Sequence, residues 1–461
     1  MIMKVLEKII EYGIYLFIFL LPWQTRLILR ERNLNGYWEY GTISIYATEI
    51  LLGLIFLLTA VWWTINKLKS QNSKLETKSQ ISKLFHLTFS FFIVYSFLSI
   101  FWSDSRGVAL QAWARLAEGV GLFLLLRVVK FDMQKLIWSF IFSALVQAGL
   151  GVWQFLTQST FACKWLGMAF HDPIESGTFV VETALRRWLR AYGSLPHPNM
   201  LAGFLAVGLL LSVWLYQKIG YSFKKLLLPV IFSILTLGFL TTFSKSAMIA
   251  FILVMILLWI VLFLGRLWPS TGSGYKLFPE RAQRVEEFGE KKITFLKFTL
   301  IFLAIAVIFG AVFWEPVSTR LVGRDRLEIK STEQRLIYAS QAWQLIKKRP
   351  FMGVGLGNYT LAVHNEIDPN IKSWGYQPVH NIYLLVLAEL GIIGFIFFVS
   401  LFFCFSVLLF RQFKNFTPMI FLSIVFLIMM VGLFDHYFWT LYFGVMLFWF
   451  GLSLVQIRRE T

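Results

Sequence analysis

The chain of 461 residues is 57% hydrophobic and only 15% charged, and it carries 48 Phe and 18 Trp at a mean hydropathy of +0.68. Soluble domains carry roughly a quarter charged residues, so a string of aqueous domains is excluded and lipid must be the main solvent. The net charge of +18 could suggest a nucleic-acid partner, but the basic residues are scattered between apolar runs. Membrane topology and anionic lipids account for them better, and no nucleic acid is expected.

A helix needs about 20 apolar residues to cross a bilayer. Met1 to Lys8 leads into such a run with no small-residue cleavage site, which reads as a retained first span. Further runs follow, giving centres near Phe17, Leu57, Ile93, Val120, Leu145, Gly208, Ile234, Met255, Ala304, Ile396, Leu427 and Met446. The expected fold is therefore an all-α polytopic membrane protein, a single integral membrane domain over 1–461, with about 12 transmembrane helices and a helical extracytoplasmic cap loop. With both termini cytoplasmic, the basic stretches Lys67 to Lys83, Arg127 to Lys135, Lys218 to Lys225, Arg266 to Lys297, Arg411 to Lys414 and Arg458 to Arg459 all fall inside. More than half of the 43 Lys and Arg then lie in short inner loops, as the positive-inside rule requires.

The outer face receives a loop around Arg30, short turns around Asp104, Ser244 and Asp435, and two long polar loops, 157–198 and 314–380. Five of the six histidines fall there, with His86 alone on the inner side. Histidine titrates nearest neutrality, so chemistry is expected on the outer face, away from nucleotide sugars and ATP. The two cysteines, Cys163 and Cys404, make no disulfide framework.

In the larger loop, Ser331-Thr332-Glu333-Gln334 has the form of a capping box. It predicts a helix from Ser331 to Lys348, stopped by Pro350, with Leu336, Ala339, Trp343 and Ile346 on one side. Arg335 then lies in the first turns, where free N–H groups and a guanidinium together suit a diphosphate. The competing reading pairs Arg335 with Glu333 or Glu328 on a wet surface. Gly353-Val354-Gly355-Leu356-Gly357-Asn358 is a sharp turn and no Rossmann fingerprint, since the preceding strand and following long helix are missing. His380 closes the loop directly before Asn381-Ile382-Tyr383-Leu384 opens the next span, so a membrane helix would hold its imidazole at the surface, either as a general base or as an interfacial histidine bonded to a neighbouring loop. Glu389, further along that helix, would face the bundle interior, where it could pair with a basic residue.

These residues, from Arg335 through Pro350-Phe351-Met352-Gly353-Val354-Gly355-Leu356-Gly357-Asn358 to His380-Asn381 and Glu389-Leu390-Gly391, resemble the O-antigen ligase and O-antigen polymerase superfamily. Upstream, Arg190-Ala191-Tyr192-Gly193-Ser194, His197-Pro198-Asn199 and Thr241-Thr242-Phe243-Ser244-Lys245-Ser246 are similar to other family stretches. The ligase-like core is expected over 241–394. The resemblance implies transfer of a glycan from an undecaprenyl-diphosphate carrier to an acceptor hydroxyl, on lipid A core or a similar lipid or glycan, without a metal ion or other cofactor. Carried over by position, His380 is the catalytic base, Arg335 binds the donor diphosphate, and Lys245 stands where relatives commonly have a second arginine. Arg190 is a further substrate-binding expectation, while His197, Asn199, Asn381, Glu389, Asp435 and His436 are possible neighbours. Trp374, Tyr376 and Tyr359 read as sugar-stacking rings or as interfacial anchors. The implied location is a bacterial inner membrane, multi-pass, with the active site facing the periplasm or exterior. A repeat-unit polymerase is the alternative, and a non-enzymatic flippase or exporter of lipid-linked glycan a second one.

Overall fold

The computed structural model describes residues 2–69, 80–264, 278–323, 326–410 and 416–456. In chain order its helices are α1 (Ile2–Phe19), α2 (Ala47–Lys69), α3 (Gln80–Leu98), α4 (Arg106–Val128), α5 (Met133–Thr157), α6 (Pro198–Lys218), α7 (Phe223–Thr241) and α8 (Lys245–Leu264). They continue with α9 (Phe278–Val312), α10 (Trp314–Val322), α11 (Arg326–Lys348), α12 (Tyr359–Glu366), α13 (Ile382–Phe410), α14 (Phe416–Gly432), α15 (Tyr437–Thr440) and α16 (Tyr442–Gln456). Of the basic stretches, Arg411 to Lys414 and Arg458 to Arg459 lie outside the described residues, as do parts of Lys67 to Lys83 and Arg266 to Lys297 and the side chains of His86 and Cys404.

A helix covers each of the twelve expected centres, but among the described residues eight are long and apolar enough to cross a membrane: α2, α4 to α9 and α13. The apolar stretches Leu87–Trp102, Phe416–Gly432 and Tyr442–Val455 are shorter. The all-α expectation needs one correction. Two polar loops close as antiparallel hairpins, β1 (Arg26–Arg30) with β2 (Ile43–Tyr46), and β3 (Val180–Glu182) with β4 (Arg187–Leu189).

Helix α6 is apolar on every side and almost wholly buried, which places it at the centre of the bundle. Phe204 packs on Phe140 of α5 with ring centroids 4.5 Å apart, and Trp214 on Phe421 of α14 at 5.5 Å. Gly208 lets α5 approach, since a Cβ there would stand 3.1 Å from that of Ala144. Because α6 is fixed in this way, its N-terminal end is a rigid mounting point.

The segment from α11 to the start of α13, the cap, forms a second small core of its own. Tyr338, Ala342, Leu345 and Ile346 of α11, Val354, Tyr359, Ala362 and Val363 near α12, and Tyr376 and Val379 pack on Leu385 and Ala388 at the start of α13. Tyr359 and Tyr376 are thus core residues rather than surface rings, and Trp374 alone of the three is exposed. Helix α13 breaks at Gly391 (φ 64°, ψ −172°), and the glycine turn fills the break. Val354 and Gly355 donate their N–H groups to the carbonyls of Ala388 (3.0 Å) and Glu389 (2.8 Å), and Ile392 donates to Pro350 (2.8 Å). Gly353 is left-handed (φ 69°), and any Cβ there would collide with the Glu389 carbonyl. The turn is therefore a structural splice between cap and span.

Helix α11 differs from its sequence reading. It starts at Arg326, so Ser331 is interior and caps nothing, and Arg335 lies in the third turn. The free N–H groups of the helix start are not beside Arg335. The buried stripe is Tyr338, Gln341, Ala342, Leu345 and Ile346, whereas Leu336 is 68% and Trp343 51% exposed. The predicted apolar face fails at Leu336 and Trp343, while Ala339 is half-buried and Ile346 buried, because a polar Gln341 and a half-polar Tyr338 take core positions. The end at Lys348, ahead of Pro350, is as expected.

Candidate functional site

Three chain turns and one cap helix bring the singled-out residues together. The first is the loop entering α6. His197 is the N-cap, its Nδ1 accepting the Asn199 N–H at 2.9 Å, with Pro198 in the first helical position. The cap is therefore the histidine, and the Asn199 side chain is left for other work. Asn199 Nδ2 donates to Asp435 Oδ2 (2.8 Å), while Asn199 Oδ1 accepts from Arg190 Nη2 (2.8 Å). One amide thus joins a buried guanidinium to a buried carboxylate that lies 236 residues beyond the amide in sequence.

Asp435 and His436 form the second turn, ahead of α15. The His436 N–H is satisfied by Asp435 Oδ1 (2.9 Å), and its Nδ1 lies 2.7 Å from Thr440 Oγ1. The His436 ring stands edge-on to His380 at 4.9 Å between centroids and edge-on to Tyr40 at 5.8 Å. His380 lies two residues before α13, whose start is capped by Asn381 Oδ1 accepting from Tyr383 (2.9 Å) and Leu384 (3.0 Å). Asn381 also donates to the Leu433 carbonyl (3.2 Å), so it ties α13 to the end of α14.

Helix α11 closes the site. Tyr338 stacks on the His380 ring at 5.7 Å and 9°. Arg335 is three residues earlier on the same helix face, and its charge acts on both His380 and Arg190. Half-buried, Arg335 has no hydrogen-bond or ion-pair partner among the described residues. The wet-surface pairing is thereby corrected: Glu328 is engaged instead by Lys245 Nζ (2.7 Å) and by Arg320 Nη1.

The third turn is 242–245, between α7 and α8, with Phe243 left-handed (φ 47°). It gathers cations through its carbonyls. Arg190 Nε donates to Thr242 O (2.7 Å), Arg320 Nε donates to Phe243 O (3.0 Å), and Lys245 begins α8. Arg190, Lys245, Arg320 and Arg335 therefore converge, with Glu328 between two of them. Sequence reasoning missed Arg320 and Tyr338. Arg320 could have been noticed as the basic residue ending a short helix, but nothing in its neighbours points to turn 242–245.

Burial sets the protonation states. It drives His436 and His197 down to about 3, against the opposing pull of Asp435. His380 is also held below its ordinary value, mainly by burial and further by Arg335, with Asp435 opposing. All three rings are neutral at neutral pH. Burial would raise the Asp435 carboxyl, but attraction to the charged forms of His436, His380 and His197 and the hydrogen bond from the Asn199 amide hold it below its ordinary value. His380 Nδ1 is buried without a hydrogen-bond partner among the described residues.

Glu389 is 2% exposed and lies deeper, its Oε2 accepting from Trp439 Nε1 at 2.8 Å rather than meeting a base. It borders a polar cavity of about 50 Å³ with Tyr40, Gln111, Arg115 and Thr440. Thr440 contacts His436, which puts this cavity directly behind the imidazole pair. The basic run at the end of α11 is accounted for in part by ion pairs: Arg349 bonds Glu366 (2.6 Å) and Asp104 (3.6 Å), and Lys348 reaches Glu366.

A neutral imidazole with an unoccupied nitrogen, set beside an unpaired guanidinium and further cations, can accept a proton while an anion is held nearby. Residues 230–399 match the model of a family described as O-antigen ligase. No curated protein matches the chain.

Proposed function

That match supports membership of the O-antigen ligase superfamily, whose members are enzymes of glycan ligation or polymerisation, and from this premise we propose that the chain transfers a glycan from an undecaprenyl-diphosphate carrier to an acceptor hydroxyl. The acceptor oxygen attacks the anomeric carbon, and the bond from that carbon to the diphosphate oxygen breaks. The electron pair leaves with the diphosphate, and the acceptor proton passes to His380. Arg335 holds the departing phosphates through a bidentate fork, and Lys245 adds a point charge. Arg190 adds charge from its buried position behind turn 242–245. Because donors are in place before charge develops, no reorganisation is needed as the leaving group departs. The reaction is assigned to the outer face of a bacterial inner membrane, in keeping with the distribution of Lys and Arg.

The observation that supports this reading best is the neutral His380 ring stacked on Tyr338 of the helix that also carries the unpaired Arg335. The test compares carrier-linked and surface glycans in a deletion strain complemented with wild type or with His380→Ala. Loss of the general base should cut transfer on the order of 10²- to 10⁴-fold. Long polymer stranded on its carrier marks a ligase, whereas single unextended repeats at the surface mark a polymerase. Full rescue by His380→Ala would remove the catalytic assignment and favour a transporter of lipid-linked glycan.

A further inference from the structure

Turn 242–245 carries a second cation that the sequence motif does not include. Arg320 comes from α10, outside any apolar span, and its guanidinium is anchored at one end by Nε on Phe243 O (3.0 Å). Its Nη1 reaches Glu328 Oε2, while Lys245 Nζ holds Glu328 Oε1 at 2.7 Å. Both cations therefore face the two oxygens of a single carboxylate. Glu328 is ionised, since burial, which would raise its carboxyl, is outweighed by Lys245 and Arg320. All three side chains are partly accessible, at 35% for Lys245, 20% for Arg320 and 16% for Glu328.

A carboxylate that bridges an ammonium and a guanidinium offers them two anionic oxygens, as a phosphate group does. Arg and Lys differ in that only the fork gives planar bidentate recognition. We propose that Arg320 is a donor-binding residue, supplying beside Lys245 the fork that an ammonium lacks, and that Glu328 is the resting partner of both cations, giving way when the donor diphosphate binds. This rests on the donor reading given above. It also explains why a lysine suffices at position 245: the planar contact comes from another helix, anchored on the same turn.

The test is diphosphate binding and donor turnover with the full-length protein in lipid nanodiscs, using inorganic pyrophosphate as the binding probe and glycan-bearing undecaprenyl diphosphate as the donor. Arg320→Lys keeps the charge and removes the fork, and should weaken pyrophosphate binding and raise the donor KM about tenfold, with kcat changed far less. Introducing Lys245→Arg into that variant should recover most of the loss. Glu328→Gln removes the competing anion, and should tighten pyrophosphate binding several-fold. Arg335→Lys is measured alongside. Weakening by Arg335→Lys with no change in Arg320→Lys or Glu328→Gln overturns this inference alone. No weakening in either arginine variant overturns the donor reading as well. If Arg320→Lys lowers the unfolding temperature and impairs folding, Glu328→Gln decides: unchanged or weaker pyrophosphate binding overturns the proposal.

Discussion

Asn199→Ala cuts the link between two buried charges, and its cost can be worked from the geometry. The amide makes two hydrogen bonds of 2.8 Å, one from Arg190 and one to Asp435, and all three residues are buried. Hydrogen bonds to charged groups contribute about 1.5–3 kcal/mol each, so losing both should destabilise the protein by about 3–6 kcal/mol. The helix itself is spared, because the Asn199 backbone N–H still bonds His197 Nδ1. The effect should therefore fall on the turns around the site. Asp435 would lose its anchor, and with it the position of His436 beside His380, so transfer should drop on the order of 10²-fold from misplacement alone. The assay is the unfolding midpoint of purified full-length protein in mild detergent, paired with the glycan transfer rate. A variant with both the midpoint and the rate of wild type would refute the claim that this amide holds the site together.

Acid should weaken the fold and the reaction together. His436 is held at about 3, far below its ordinary 6.5. A depressed folded value means that its contribution is whole above pH 6.5 and is lost as pH falls toward 3, at about 1.4 kcal/mol per pH unit; unfolding midpoints between pH 7 and pH 5 measure this, and His436→Gln should flatten the slope. The acid limb of the transfer rate should lie below pH 6.5, because His380 is depressed in the same direction. Gly353→Ala forces a side chain into a left-handed backbone against the Glu389 carbonyl, at a cost of about 2–5 kcal/mol, visible as a lower unfolding midpoint and lower expression.

Much of this was legible in the chain because it depends on local pattern. Apolar runs of span length place a helix at all twelve centres, and the stop at Pro350 and the turn at Gly353 to Gly357 follow from backbone chemistry alone. Crossing length is another matter: α14 and α16 are apolar but short, and hydropathy peaks do not reveal where a helix ends. The capping box at Ser331 misled because Arg326 to Lys330 already favour helix, and a cap requires its residue to leave the helix. The face of α11 was misread because Leu336 and Trp343 are apolar yet outward, while Gln341 is buried. Nothing local could show that Arg190, Asn199 and Asp435 form one chain of bonds, or that Arg320 reaches turn 242–245. Such pairings are set by tertiary packing across hundreds of residues.

The break at Gly391 has a mechanical consequence. Membrane helices tilt and shift as bilayer thickness changes. In this protein the segment of α13 before the break is fastened to the cap through Leu385 and Ala388, and the rest of the helix continues beyond a non-helical joint. His380, Tyr338 and Arg335 all belong to the cap side of that joint. Because Ile392 beyond the break is also bonded to Pro350 (2.8 Å), cap and helix are pinned together on both sides of the joint, and a tilt of α13 should carry imidazole and guanidinium with it as one unit.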